Sequence, residues 1–171
     1  MRKIAILIMS MFAVMGLTAS AAGAAARPHT IGQPTVDIDS SGNLSVQWKV
    51  AGLGNFTSAA FLTADRVEAT YGCDNPGVGG DGIQIPPGQP IVLDDVVGPT
   101  TTIPPSNGNI TFTVGIPAPP APSATDFCPG SNWSLVLVSI TYVNVVLHIQ
   151  QGGVDVLTVP LGTFSETFIE V

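Results

Sequence analysis

Apolar and polar residues alternate with a period of two along most of the chain, and this pattern constrains the fold more than any other feature. The stretch 110–116 is the clearest example, because Ile110, Phe112, Val114 and Ile116 alternate with threonine and glycine. A period of two places successive side chains on opposite faces of a β-strand, and no convincing amphipathic helical pattern is present. The alternation therefore predicts an all-β chain.

Gly, Pro and Asn separate the alternating stretches into roughly seven to nine short strands, an inventory typical of a β-sandwich. The predicted strands fall within residues 35–50 (a hairpin around the turn 40–43), 59–73, 90–103, 110–116, 133–149, 154–159 and 163–171. Stretch 90–103 is expected at a sheet edge because of its prolines and acidic pair. Stretch 133–149, apolar on both faces, is expected at the centre. We therefore expect a single β-sandwich with Greek-key, immunoglobulin-like connections.

The first 26 residues have the organisation of a secretory signal peptide. Basic residues at positions 2 and 3 precede the apolar stretch 4–17, and residues 24–26 are all alanine. Cleavage after Ala26 would leave residues 27–171 as one secreted β-sandwich domain. Cleavage after Ala22 is the alternative.

The charge of the secreted part limits its partners. The chain has 5 Lys and Arg residues against 12 Asp and Glu residues, and two of the basic residues lie in the signal peptide. The net charge of about −9 that remains disfavours nucleic acid and anionic lipid as partners. No cysteine lies at the cleavage site to carry a lipid, and the apolar stretch 133–149 contains Asn144 and His148. We expect free secretion without a stable membrane anchor.

The two cysteines, Cys73 and Cys128, predict one disulfide. An even pair in an exported protein is most simply bonded. The long loop that such a bond closes gives roughly 4 kcal/mol of stabilisation in the chain-entropy model. A reactive thiol or a metal pair would need a CxxC spacing or a neighbouring histidine, and the sequence has neither.

No metal or cofactor site is expected from the acidic residues. Asp37 and Asp39 begin a segment that resembles the start of an EF-hand calcium loop, but Trp48 stands where the bidentate carboxylate would be. A hairpin turn is the preferred interpretation. A looser calcium site around Asp74 and Asp81 stays open as an alternative.

Catalytic residues are not expected either. The sequence has no GxSxG nucleophile motif, and His29 and His148 are its only histidines. His29 is expected in a mobile tail and His148 within a strand. The adjacent Asp94 and Asp95 would point to opposite faces of a strand, so they cannot act as a pair.

Several short segments resemble a group of small exported two-cysteine proteins of actinobacteria and some fungi. The segments are Ala51–Asn55, Ala69–Asn75, Phe127–Gly130, Val138–Tyr142 and Gly162–Phe164. That group has no assigned activity, so the resemblance implies a secreted β domain and transfers no site residues. The loop 76–81 departs from the Gly-Gly-Asn sequence that the group tends to have after the first cysteine.

These observations favour a non-catalytic binding or surface-interaction module with an extracellular or cell-surface ligand. The alternatives are a secreted hydrolase and a self-associating component of the cell envelope. A binding surface built on aromatic rings would need them exposed, but Trp48 and Trp133 are expected in the core. Tyr142 is the aromatic residue whose position the pattern leaves open.

Overall fold

The computed structural model describes residues 27–75, 77, 82–106 and 108–170, so the predicted signal peptide lies outside the described residues. Eight strands and one short helix follow each other along the chain. They are β1 (His29–Ile38), β2 (Leu44–Ala51), β3 (Ser58–Asp74), β4 (Ile91–Val97), β5 (Thr101–Ile103), β6 (Ile110–Ile116), α1 (Ala124–Phe127), β7 (Ser134–Gln151) and β8 (Val154–Thr167).

The strands form two antiparallel sheets that pack face to face. One sheet has three strands in the order β1-β2-β6. The other has the order β4-β3-β7-β8, and β5 pairs with β3 along the same edge as β4. The chain passes between the sheets after β2, β5 and β6. The predicted all-β sandwich is confirmed.

Inward-facing side chains of both sheets form one hydrophobic core, as the alternation predicts. In β2, Leu44, Val46, Trp48 and Val50 are buried, while the residues between them are more exposed. The largest fully buried side chains include Tyr142, Leu44, Leu62, Ile103, Ile116, Ile140, Leu147 and Ile149. Burying a large aliphatic side chain fully contributes about 1.5–3 kcal/mol, so this core is the main source of stability.

The alternation changes phase once in each of the two long central strands. In β3 the exposed pair Asp65 and Arg66 interrupts the buried series, and in β7 the exposed Asn144 does the same. These positions lie side by side, because Thr63 pairs with Val146 and the Asn144 side-chain amide donates a hydrogen bond of 2.8 Å to Asp65. The side chains of both strands therefore point into the core again on either side of this shared interruption.

The strand positions largely agree with the sequence pattern. β4 is an edge strand and β7 a central one, as expected. Stretch 90–103 contains two strands, and the two strands expected at the C-terminal end form the single strand β8, which continues through Pro160. The prediction that His29 lies in a mobile tail is wrong, because β1 begins at His29 and this residue pairs with Ala51 of β2.

A candidate ligand-binding cleft beside the disulfide

The disulfide joins Cys73 to Cys128, as predicted, with their Cα atoms 5.6 Å apart. Cys73 lies at the C-terminal end of β3, and Cys128 follows directly after α1. The bond therefore ties the β6–β7 connection to the C-terminal end of β3, an interior strand of the five-stranded sheet. It differs from the antibody-type disulfide, which links two opposed sheets.

A second attachment at Cys73 is made by backbone hydrogen bonds. The Cys73 amide donates to the Gln84 carbonyl at 2.8 Å, and the Gln84 amide donates to the Cys73 carbonyl at 2.9 Å. Nearby, the Tyr71 amide donates to the Gln89 side chain at 2.8 Å. The loop that precedes β4 is therefore held against the end of β3.

The residues before Cys128 are also fixed locally. The Phe127 amide donates to the Ser123 carbonyl at 3.0 Å, and the Cys128 amide donates to the Ala124 carbonyl at 2.9 Å. These bonds close the single turn of α1 and set the direction in which Phe127 leaves it. A four-residue helix has little intrinsic stability, so the disulfide and the packing of Phe127 against the core hold it on the domain.

A cleft of about 370 Å³ opens between these two segments. Its lining residues are Gln84, Ile85, Pro86, Pro87, Asp126, Phe127, Cys128 and Pro129. One wall is the segment 84–87 and the other is the segment 126–129, and both walls are attached to the same residue, Cys73. The volume lies within the range of small-molecule sites, which are mostly apolar clefts with a few polar groups. We call this feature the disulfide cleft.

The lining of the disulfide cleft is mostly apolar and contains one charged side chain. Ile85 is 46% exposed, and Phe127 is half-buried. The three prolines supply rigid apolar surface and no backbone donors. Asp126 is exposed and is the one ionisable side chain in the lining, while Gln84 adds a neutral amide.

A polar cluster lies on the outer face of the five-stranded sheet, around His148. His148 Nε2 is 3.2 Å from the Thr63 hydroxyl oxygen, and His148 Nδ1 is 3.0 Å from Asp155 Oδ2. The imidazole stacks on the Phe61 ring with the centroids 5.0 Å apart. Hydrogen bonds from Gln150 and His148 lower the pKa of Asp155 below its usual value.

The order hydroxyl, imidazole and carboxylate resembles the relay of a hydrolase, but its surroundings differ. Thr63 pairs with Val97 of β4 and Val146 of β7, so its backbone belongs to the sheet ladder. A hydrolase needs backbone N–H groups aimed at the oxyanion and a cleft around the nucleophile. Thr63 also lines a cleft of about 210 Å³, together with Asp65 and Asp95. The side-chain hydrogen bonds of the cluster link β3, β7 and β8.

The Asp39 carboxylate accepts hydrogen bonds within the turn of the β1–β2 hairpin. Asp39 Oδ1 accepts hydrogen bonds from the Ser41 and Asn43 amides at 2.8 and 2.9 Å, and Oδ2 accepts one from the Asn43 side chain at 2.9 Å. These bonds, that from the Asn43 side chain foremost, lower the pKa of Asp39. The preferred hairpin interpretation is confirmed. Of the alternative calcium ligands, Asp74 ends β3 and Asp81 lies outside the described residues.

The burial of the aromatic residues differs in part from the prediction. Trp48 is buried, as expected, but Trp133 is only half-buried in front of β7. Tyr142, which the sequence left open, is completely buried, and its hydroxyl donates to the Gly42 carbonyl at 2.6 Å. Desolvation raises the pKa of Tyr142 to about 12.

The sequence did not predict the disulfide cleft. The one sequence feature that points to it is the presence of prolines near each cysteine. Pro-rich segments usually indicate loops, however, and do not show which loops contact each other.

Within the described ranges, no group of three or more His, Cys, Asp or Glu side chains could hold a metal ion. No described helix is long and apolar enough to cross a membrane. The chain matches no model of a known protein family, and no curated protein sequence matches it.

Proposed function

We propose that the protein is a secreted, non-catalytic binding module and that the disulfide cleft is its ligand site. The observation that carries this proposal is the attachment of both cleft walls to Cys73, one by backbone hydrogen bonds and the other by the disulfide. A site held open before the ligand arrives saves the cost of ordering loops on binding. An apolar concave surface of this size is the usual form of a small-molecule site.

The proposed secretion is supported by two features, one of the structure and one of the sequence. A disulfide is typical of an oxidising environment, outside the cytosol. The signal-like segment 1–26 supplies a route to that environment. Membership in the group of small exported two-cysteine proteins stays a prediction.

The hydrolase alternative depends on the cluster of Thr63, His148 and Asp155. If that cluster were catalytic, the protein would hydrolyse p-nitrophenyl acetate faster than its Thr63→Ala variant does. We expect equal, background rates. A rate above background that Thr63→Ala abolishes would favour the hydrolase.

Self-association through strand edges is the less favoured alternative, because the edge strands β1, β4 and β8 carry features that oppose pairing, whereas the remaining edge strand, β6, is regular. β4 contains Asp94 and Asp95, and Asp95 has a φ of +52°, which interrupts a regular edge. β8 contains Pro160, which cannot donate to a further strand. β1 has a register shift between Ile31 and Thr35.

The ligand site can be tested by NMR. We expect benzyl alcohol, a neutral aromatic probe, to shift the ¹H–¹⁵N signals of Gln84, Ile85 and Phe127 in a saturable way, and to leave that of His148 unchanged. Ile85→Ser should weaken binding about fivefold, because roughly half of an aliphatic side chain loses its contact with the probe. Val154→Ser is the matched control, since Val154 is 67% exposed and outside the cleft. Shifts spread over the whole surface, or equal effects of the two variants, would contradict the proposal.

A further inference from the structure

We infer that the disulfide cleft selects small apolar cations, such as an aryl or alkyl ammonium. This inference rests on the proposed function and names the class of ligand. Its basis is the combination of one carboxylate and one aromatic ring in an otherwise uncharged apolar cleft.

Among the residues that the structure describes, no basic side chain forms a salt bridge with Asp126. The basic residues after position 26 are Arg27, Lys49 and Arg66, and none of them lines the cleft. Arg66 lies 3.0 Å from Glu68 on the outer face of the five-stranded sheet. Asp126 takes part in none of the described salt bridges, so a ligand cation would meet a carboxylate that no described side chain neutralises.

The aromatic ring lies next to this carboxylate in sequence and in the lining. Phe127 is half-buried, and it both packs against the hydrophobic core and lines the cleft. A cation near the face of an aromatic ring is attracted by the ring's quadrupole. Pro86, Pro87 and Pro129 supply apolar contacts for the body of the ligand and add no charge.

The size of the preference follows from how exposed the site is. An ion pair with an exposed carboxylate strengthens binding by a factor of about two to five, and an exposed cation–π contact adds a similar factor. Together they predict roughly a tenfold preference for a cation over a neutral ligand of equal size. The negative charge of the whole domain adds a long-range attraction that salt screens, whereas the apolar contacts are insensitive to salt.

The experiment compares three probes of nearly equal size: 2-phenylethylamine, 2-phenylethanol and phenylacetate. Each is titrated into the ¹⁵N-labelled domain at low and high salt, and its affinity is taken from the signals of Gln84, Ile85 and Phe127. We expect the amine to bind about tenfold more tightly than the alcohol, and the carboxylate to bind most weakly.

Two variants separate a local charge from the net charge. Asp126→Asn should reduce the affinity for the amine by a factor of about two to five and leave the alcohol unaffected. Asp37→Asn is the control, because Asp37 is exposed on β1, away from the cleft, and the substitution changes the net charge equally. Phe127→Leu should lower the affinity for the amine more than that for the alcohol.

The outcomes distinguish the inference from the proposed function. Equal binding of amine and alcohol at the cleft would overturn the charge preference and leave the ligand site standing. Equal effects of Asp126→Asn and Asp37→Asn would attribute the preference to net charge and overturn the role of Asp126. Failure of all three probes to shift the cleft signals would contradict the ligand site itself, and the inference with it.

Discussion

The buried hydroxyl of Tyr142 connects the two sheets, and Tyr142→Phe removes it without changing the size of the ring. The hydroxyl donates a hydrogen bond of 2.6 Å to the carbonyl of Gly42 in the β1–β2 turn. It also lies 3.3 Å from the carbonyl oxygen of Ile116, where β6 ends. Tyr142 belongs to β7, so this hydroxyl contacts the three-stranded sheet from the five-stranded one.

The expected loss at neutral pH follows from the burial of both partners. Tyr142 is completely buried, and Gly42 is buried too. An unpaired buried carbonyl costs about 1–3 kcal/mol, so we expect the free energy of unfolding to fall by about 2 kcal/mol. For a domain of this size the melting temperature should fall by roughly 4–8 °C.

The same hydroxyl makes the effect depend on pH. Because burial raises the pKa of Tyr142 to about 12, the folded protein keeps the phenol protonated while the unfolded chain loses the proton above pH ~10. The stabilisation is therefore complete below pH ~10 and is lost as the pH rises through ~12, by about 3 kcal/mol in total. Tyr142→Phe lacks this titration, so its stability should approach that of the unmodified protein near pH 12.

Urea denaturation followed by circular dichroism measures both effects. Parallel transitions of the two proteins are recorded from near pH 8 to the alkaline limit of reversibility. Tyr71, whose pKa burial also raises, is present in both proteins but its charge interacts with that of Tyr142, so the comparison is repeated in a Tyr71→Phe background. Two results would refute the buried hydrogen bond as the cause of the stability difference. One is a difference in the free energy of unfolding that stays constant over the alkaline range, and the other is a difference below about 0.5 kcal/mol near pH 8.

Three further substitutions probe other parts of the domain. Replacing both disulfide cysteines by alanine opens a loop of sequence separation 55, and we expect a melting temperature lower by roughly 8–16 °C and loss of probe binding; unchanged binding would show that the cleft does not need the bond. Asn43→Asp places a second carboxylate where the Asn43 amide now donates to Asp39 at 2.9 Å, so the melting temperature should fall at pH 7 and recover partly near pH 4, whereas a pH-independent loss would argue against charge repulsion. Gly98→Ala places a methyl group against the backbone of β6 and should cost about 1–3 kcal/mol in urea denaturation, while the control Gly108→Ala, in open space, should cost far less.

The sequence by itself determined the strands, because strand formation depends on a local period. Residues 110–116 alternate in the sequence and form β6 over the same range. The turn chemistry of residues 40–43 likewise predicted the β1–β2 hairpin. The disulfide followed from counting two cysteines and from the export signal, and neither of these needs a three-dimensional structure.

The alternation could not predict where it would change phase. The sequence predicted one strand over residues 59–73 but did not predict that its buried series shifts by one residue at Asp65 and Arg66. The interruption is accommodated because Asn144 of β7 breaks its own alternation at the paired position and binds Asp65. Only the register between these two strands, which are distant in sequence, places the two interruptions next to each other.

The candidate site was decided by tertiary structure alone. Gln84 and Phe127 are each ordinary loop or helix-end residues in the sequence. They face each other because a backbone bridge and a disulfide bring both segments to Cys73. Likewise, Tyr142 became a core residue because the Gly42 carbonyl, 100 positions earlier in the chain, offers its hydroxyl a buried partner. Local periodicity carries no information about contacts over such separations, so the sequence determined the strands and the packing determined the cleft.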